Sequence, residues 1–145
     1  MYTNGIQSYR RTNVITADPG QLVIMCYEGA IDNLIIAKQR KAEKKYEEKC
    51  QNIKKAKDII DELLCSLDFE KGGSIAKHLE SIYNYMTRRI ILGDVNGDMG
   101  AIDEVVGMLR ELLSAWKEVC SKPERQIQPE AVSFSENREL QASGV

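Results

Sequence analysis

The sequence has few of the residues that build sheets, metal sites and active sites. Of its 145 residues only three are proline and one is histidine, and alternating runs of β-branched residues are nearly absent. No C-x-x-C spacing joins the four cysteines, which argues against a zinc site or a thioredoxin-type pair. There is also no Glu-x-x-His pair, no phosphate-binding G-x-x-x-x-G-K-[ST] loop and no nucleophile elbow. We therefore expect neither an enzyme nor a bound cofactor or metal.

The sequence also lacks a strong net charge and long apolar runs. A formal net charge of −2 gives no general attraction to nucleic acid or to anionic membranes. The N-terminal residues have no apolar core like that of a signal peptide, and no run reaches membrane-spanning length. A composition that is 43% hydrophobic and 29% charged is typical of one globular domain. We expect that domain in the cytosol, with no membrane insertion and no nucleic-acid partner.

Apolar residues recur with the 3.6-residue period of amphipathic helices. The pattern predicts four helices, at about 19–42, 46–67, 74–92 and 99–120. Short connections favour antiparallel neighbours, so the predicted fold class is all-α, an antiparallel up-down four-helix bundle. The bundle domain is predicted to span 1–120 and to include an N-terminal arm at 1–17. Residues 121–145 are mostly polar and are predicted to form a flexible tail.

The boundary between the first two helices is the least marked, because residues 43–45 include neither glycine nor proline. A single rod over 19–67 would span roughly 70 Å at about 1.5 Å per residue, and half of it would have no partner in so short a chain. We therefore predict a tight turn at 43–45. Later breaks are predicted at 68–73, which contains two glycines, and at Gly93.

The first helix begins sharply and is unusually apolar. Asp18 can cap it, Pro19 suits its first position, and six apolar residues follow at 22–27. More than one face of this helix is therefore apolar. The chain carries further apolar residues outside a strict bundle seam, namely Ile24, Ile59, Leu64, Tyr85, Ile91, Val106 and Leu113. Flanking bundle positions can absorb such residues, or they can line grooves that receive amphipathic helices of a partner.

The stretch from Lys38 to Lys57 is locally basic. It holds nine Lys and Arg residues against three Glu, a local excess of nine minus three, or +6. Such a face can be a solvated surface at the predicted turn, or it can bind RNA or an acidic partner. Tyr46 is its only aromatic residue, so the stretch offers little aromatic surface on which bases could stack.

Five blocks of sequence share a family pattern, in order along residues 2 to about 120. T-A-D-P-G-Q-L at 16–22, after Tyr9, matches T-A-S-P-x-x-L, and M-C-Y-E-G-A at 25–30 matches M-L-Y-D-G-A. The third block is K-D-I-I-D-E-L at 57–63 with Leu67-Asp68, followed by the pair Gly72-Gly73. The fourth block contains Leu79, Tyr83, Tyr85-Met86 and Arg88-Arg89. The last block contains Glu104-Val105, Leu109-Arg110 and Ala115-Trp116-Lys117. Together these blocks resemble the flagellar secretion chaperone family, the FliS flagellin chaperones. Asp18 stands where the family has serine and Cys26 where it has leucine.

The resemblance implies a cytosolic helical bundle that binds the disordered C-terminal segment of flagellin. Such a bundle prevents premature polymerisation and delivers flagellin to the export gate of the flagellar type III secretion system. It also implies an arm whose tyrosine, Tyr9, lies over apolar surface and shifts when cargo binds. On this basis we expect the cargo grooves to be formed or supported by Leu22, Met25, Tyr27, Leu64, Tyr83 and Met86.

Some of these residues have more specific expected roles. Tyr27 and Tyr83 can pack their rings and leave a hydroxyl for a carbonyl of the cargo. Gly29 is expected to permit close helix approach, and Trp116 to anchor the core. A different flagellar or regulatory cargo, an RNA-binding bundle and a homodimer formed through the protein's own grooves stay open as alternatives.

Overall fold

The computed structural model describes residues 19–121, which form four helices. We name them in chain order: α1 Pro19–Ala42, α2 Tyr46–Cys65, α3 Phe69–Asn96 and α4 Met99–Cys120. The predicted all-α fold is confirmed. The predicted cap Asp18, the arm at 1–17 and residues 122–145 of the predicted tail lie outside the described residues.

Each helix packs against two others, so the four close into a ring. α1 contacts α2 and α4, and α3 contacts the same two helices from the opposite side. Side-chain pairs show that α1 and α4 run antiparallel, because Lys38 meets Asp103 while Lys117 meets Glu28. The α1–α2 and α3–α4 turns lie at the same end of the bundle, where Lys41 Nζ donates to the carbonyl of Gly97 at 2.8 Å. We call this end the double-turn end.

The third helix is longer than the predicted 74–92. It begins at Phe69, where Asp68 caps it by accepting from the Lys71 amide at 3.0 Å. The glycine pair interrupts it at one residue only: Gly73 has φ 52° and ψ −125°, a kink that favours glycine. α2 ends at Cys65, two residues before the predicted Leu67.

The C-terminal end of α3 also differs from the prediction, because Gly93 lies inside the helix. A Cβ atom there would come within 2.9 Å of the Ala101 Cβ, so this glycine allows α4 to approach closely. The helix ends instead at Gly97, which adopts the left-handed conformation at φ 67°. Its amide and that of Asp98 donate to the carbonyls of Asp94 and Gly93, which is a Schellman motif.

The α1–α2 turn closes with the same motif without a glycine. Lys44 has φ 63°, and the amides of Lys44 and Lys45 donate to the carbonyls of Lys41 and Arg40 at 2.9 and 2.8 Å. The sequence marks this turn weakly because a lysine occupies the left-handed position. A side chain with a Cβ is strained there, at a cost of about 1–2 kcal/mol.

The centre of the core contains a hydrogen-bonded aromatic cluster that joins three helices. The hydroxyls of Tyr27 on α1 and Tyr83 on α3 lie 2.6 Å apart, and Trp116 Nε1 on α4 donates to the Tyr27 hydroxyl at 2.9 Å. Both tyrosines are fully buried and the tryptophan is 4% exposed. The cluster ties α1 to the diagonally opposite α3. The predicted role of Trp116 as a core anchor agrees with this position.

Replacing Lys44 by glycine should stabilise the protein. Lys44→Gly removes the left-handed strain, offset by the greater entropy of glycine in the unfolded chain, for a net gain of about 0.5–1 kcal/mol. Urea denaturation followed by circular dichroism should show a higher midpoint at an unchanged m-value. Lys45→Gly is the matched control, because Lys45 has φ −93° and should gain nothing. Equal effects of the two changes would contradict this account.

The two core tyrosines should differ in what their hydroxyls contribute. The cluster has three donors and two hydrogen bonds, so one donor has no acceptor in it. Tyr83→Phe still leaves one donor of the cluster without an acceptor, whereas Tyr27→Phe leaves two donors without one. Each buried donor without an acceptor costs about 1–3 kcal/mol of folding free energy. Tyr27→Phe should therefore be less stable than Tyr83→Phe by that amount. Urea denaturation monitored by the single tryptophan measures the difference, and equal stabilities would contradict it.

Candidate functional site

The residues predicted to bind or support cargo do not form one open groove in the structure. Leu22, Tyr27, Tyr83 and Met86 are buried in the core. Met25 and Leu64 are partly exposed and pack against its border. Tyr9 lies outside the described residues. The buried residues are therefore suited to supporting the bundle, and the partly exposed ones to contact with another molecule.

The tyrosine hydroxyls bond inside the core, in contrast to the expectation that one would be left for a cargo carbonyl. The hydroxyls of Tyr27 and Tyr83 bond to each other, and Tyr27 also accepts from Trp116. Burial raises the pKa of both tyrosines well above the ordinary value. Both hydroxyls therefore stay protonated near neutral pH.

Apolar side chains that are only partly buried border the core. They are Met25, Ile59, Leu64, Ile75, Ile82, Met99, Met108, Leu112 and Leu113. They come from all four helices, so apolar surface reaches solvent along the seams of the bundle. Three of the nine are methionines, whose flexible side chains adapt to irregular partners. These seams are the candidate binding surface.

The surplus apolar residues identified from the sequence divide into three groups. Ile24 and Val106 are buried, as flanking bundle positions should be, and Ile91 is exposed. The others are intermediate: Ile59, Leu64, Tyr85 and Leu113. The predicted close approach at Gly29 is also present, because a Cβ there would lie 3.3 Å from Ile59 Cδ1 of α2.

Two exposed apolar residues, Leu92 and Val95, were not singled out from the sequence, although their neighbour Ile91 was. Ile91, Leu92 and Val95 are 42%, 51% and 76% exposed on the last turns of α3. The prediction ended the helix at Gly93 and so placed Val95 in a turn. If the helix end had been assigned to Gly97 instead of Gly93, the helical period would have predicted that Val95 lies on the helix.

A polar cluster bridges the seam between α3 and α4. Tyr85 donates its hydroxyl to Glu104 Oε2 at 2.5 Å, and Arg89 Nε donates to Oε1 at 2.8 Å. The hydrogen bond from Tyr85 and then that from Arg89 lower the pKa of the Glu104 carboxyl. All three groups are close to solvent, so the cluster fixes side-chain orientation more than it stabilises the fold.

Most of the basic stretch is neutralised within the bundle. Lys38, Arg40, Lys45, Lys49 and Lys54 form ion pairs with Asp or Glu. Lys49 Nζ lies 2.5 Å from Asp94 Oδ1, and this hydrogen bond raises the pKa of Lys49. Lys41 caps the α3–α4 turn. A track of free cations for a phosphate backbone is therefore not present along this part of the described chain.

Two further features of the described residues bear on the kind of site. Within 19–121 no group of three or more His, Cys, Asp or Glu residues is placed to hold a metal ion. α1 is long and apolar enough to cross a membrane by length and composition. Ten of its residues are buried in the bundle, and the core helix of a globular protein passes the same test.

Comparison with known proteins gives one consistent result. The family model "Flagellar protein FliS" matches residues 2–123. A flagellar secretion chaperone FliS of Salmonella typhimurium is 38% identical over 144 residues, covering 95% of this chain and all of the relative. The FliS chaperones of Vibrio cholerae and Bacillus subtilis are 33% and 31% identical, each over 79% of this chain and over 87% and 85% of their own lengths.

The family match covers the whole described bundle, and the relatives align over most of their own length. The apolar seams agree with a protein that binds other proteins. The chain therefore belongs to the FliS family of flagellar secretion chaperones, which are non-enzymatic and cytoplasmic.

Proposed function

We propose that the protein binds the disordered C-terminal segment of flagellin, prevents its premature polymerisation and delivers it to the flagellar export gate. The observation that carries the proposal is the apolar seam surface, which is contributed by all four helices of a FliS-family bundle. A disordered segment that folds on binding can lay apolar side chains into several such seams.

The seams suit a segment that wraps around the bundle rather than one that fills a single pocket. Met25 and Leu64 lie on different helices, α1 and α2, and Met108 and Leu112 lie on α4. An extended or helical segment can contact successive borders, and each contact then adds modestly to the binding free energy. A flagellin bound in this way has its C-terminal segment covered, which prevents its use in polymerisation.

The RNA-binding alternative is supported less well. Most basic side chains between Lys38 and Lys57 already pair with carboxylates or a carbonyl. Lys44, Lys55 and Lys57 are the residues of this stretch without such a partner within 19–121, and Lys57 lies near Asp61. Three separated cations give little counterion release.

Binding of the cognate flagellin C-terminal peptide should be measurable by calorimetry and should show a negative heat-capacity change, because apolar surface is buried. Met25→Glu and Leu64→Glu should each weaken binding by about tenfold or more, which is about 1.4 kcal/mol. Ile35→Glu is the control, because Ile35 is 40% exposed on α1 and lies outside the apolar border of the core. If the peptide does not bind the unmodified protein at concentrations of tens of micromolar, the proposal is wrong.

The family resemblance makes Tyr9 part of the same proposal. An arm that covers apolar surface and yields to cargo should change cargo binding or export-gate engagement when Tyr9→Ala removes its aromatic ring. Helix content measured by circular dichroism should stay the same. If the bundle unfolds instead, the arm belongs to the core and the displacement idea fails.

A further inference from the structure

The seam between α3 and α4 changes from apolar to polar along its length. On α3, Ile75, Ile82 and Arg89 follow one another every two helical turns, so they lie on one line along the helix. On α4, Met108 lies one turn after Glu104. The three apolar side chains are partly buried, and Arg89 bonds to Glu104 across the seam at 2.8 Å. We call this surface the α3–α4 seam.

A hydrogen-bonded bridge closes the α3–α4 seam near the double-turn end. The two carboxylate oxygens of Glu104 accept separate hydrogen bonds, one from the Tyr85 hydroxyl at 2.5 Å and one from Arg89 Nε at 2.8 Å. Both donors belong to α3 and the acceptor belongs to α4. An apolar segment that lies in the seam therefore meets polar groups here, and it cannot continue without breaking the bridge or leaving the seam.

The bridge leaves one edge of the Arg89 guanidinium available. Nε is used by Glu104, whereas the two Nη nitrogens donate to no residue within 19–121. These nitrogens carry four N–H groups in a rigid planar fork. The Arg89 side chain is 32% exposed, so a second molecule can reach it. Because the hydrogen bond to Glu104 already orients the guanidinium, its Nη edge can receive another carboxylate without losing the first.

The geometry points to Arg89 as the group that receives the terminal carboxylate of the bound flagellin segment. This inference rests on the proposed function, in which the cargo is a C-terminal segment and so ends in a free carboxylate. Such a group has an ordinary pKa of about 3.3–3.7 and is ionised at neutral pH. Two parallel N–H groups of a guanidinium match its two oxygens. Apolar residues before the carboxylate can then lie against Ile75, Ile82 and Met108.

This assignment fixes the direction and the length of the bound segment. Ile75 and Arg89 are separated by about 21 Å along α3, at about 1.5 Å per residue. A helical cargo end of about four turns fills this length. With its carboxylate at Arg89, the segment enters near the Gly73 kink and runs parallel to α3 and antiparallel to α4.

Two versions of the flagellin C-terminal peptide test the inference, one ending in a carboxylate and the other in a carboxamide. Calorimetry at neutral pH should show that the carboxylate peptide binds the unmodified protein about fivefold more tightly or better. The carboxamide has no charge and one acceptor fewer. If both peptides bind equally well, the inference is overturned and the proposed function stands. If neither binds, the proposed function is wrong and this inference is wrong with it.

Substitution of the arginine assigns the effect to one residue. Arg89→Gln should weaken binding of the carboxylate peptide and leave binding of the carboxamide peptide unchanged. Arg110→Gln is the matched control and should keep the full difference, because Arg110 is an exposed arginine of α4 that bonds to no residue within 19–121. Circular dichroism checks that both variants are folded. If Arg89→Gln still prefers the carboxylate, or weakens both peptides equally, the terminal carboxylate does not bind Arg89.

Two further measurements separate a specific contact from general charge attraction. Combining Arg89→Gln with Glu104→Gln removes one charge of each sign, so the net charge is unchanged, and this double variant should also bind both peptides equally. A carboxylate peptide extended by two glycines keeps its charge but moves it by about 7 Å. It should bind the unmodified protein as weakly as the carboxamide peptide does. Full-strength binding of the extended peptide would overturn the inference, because charge alone would then be recognised.

Discussion

The hydrogen-bonded contact between Tyr27, Tyr83 and Trp116 is the constraint on which the arrangement of the bundle depends. It joins residues 56 and 89 positions apart in the chain, and it is the buried polar feature that α1, α3 and α4 share. Because an unpaired buried hydroxyl or indole N–H is costly, the three helices must keep one relative position. Apolar packing alone would allow neighbouring helices to slide with a smaller penalty.

The same packing explains how a small bundle can present binding surface without losing stability. The largest apolar side chains lie at the centre, and partly buried ones lie along the seams on all four helices. Ion pairs and the Tyr85–Arg89–Glu104 cluster lie at the surface between helices. A segment that binds the seams can therefore contact apolar groups while the central cluster stays in place.

The double-turn end combines rigidity with exposure. Two Schellman motifs close it, and Lys41 and Lys49 tie the α1–α2 side to the end of α3. The exposed residues Ile91, Leu92 and Val95 lie beside this fixed end, on backbone that the turn holds in place. A contact between preorganised surfaces loses less conformational entropy than one that must first order a flexible segment. The seams and these three exposed residues are therefore two separate apolar surfaces on one bundle.

Local patterns were sufficient to predict the four helices, their all-α packing and the chaperone family, because helix period and short motifs are properties of neighbouring residues. Local patterns did not predict that Gly93 would lie inside α3, that Lys44 would take the left-handed position, or that the tyrosine hydroxyls would bond to each other. Gly93 and the tyrosine hydroxyls depend on residues of other helices, such as Ala101 against Gly93 and Trp116 on Tyr27. The turn at Lys44 closes on Lys41 and Arg40, and no glycine marks its left-handed position in the sequence. The sequence by itself determined which residues are apolar and helical. Only the tertiary structure decided which of them are buried and which face solvent, because burial depends on what packs against each helix.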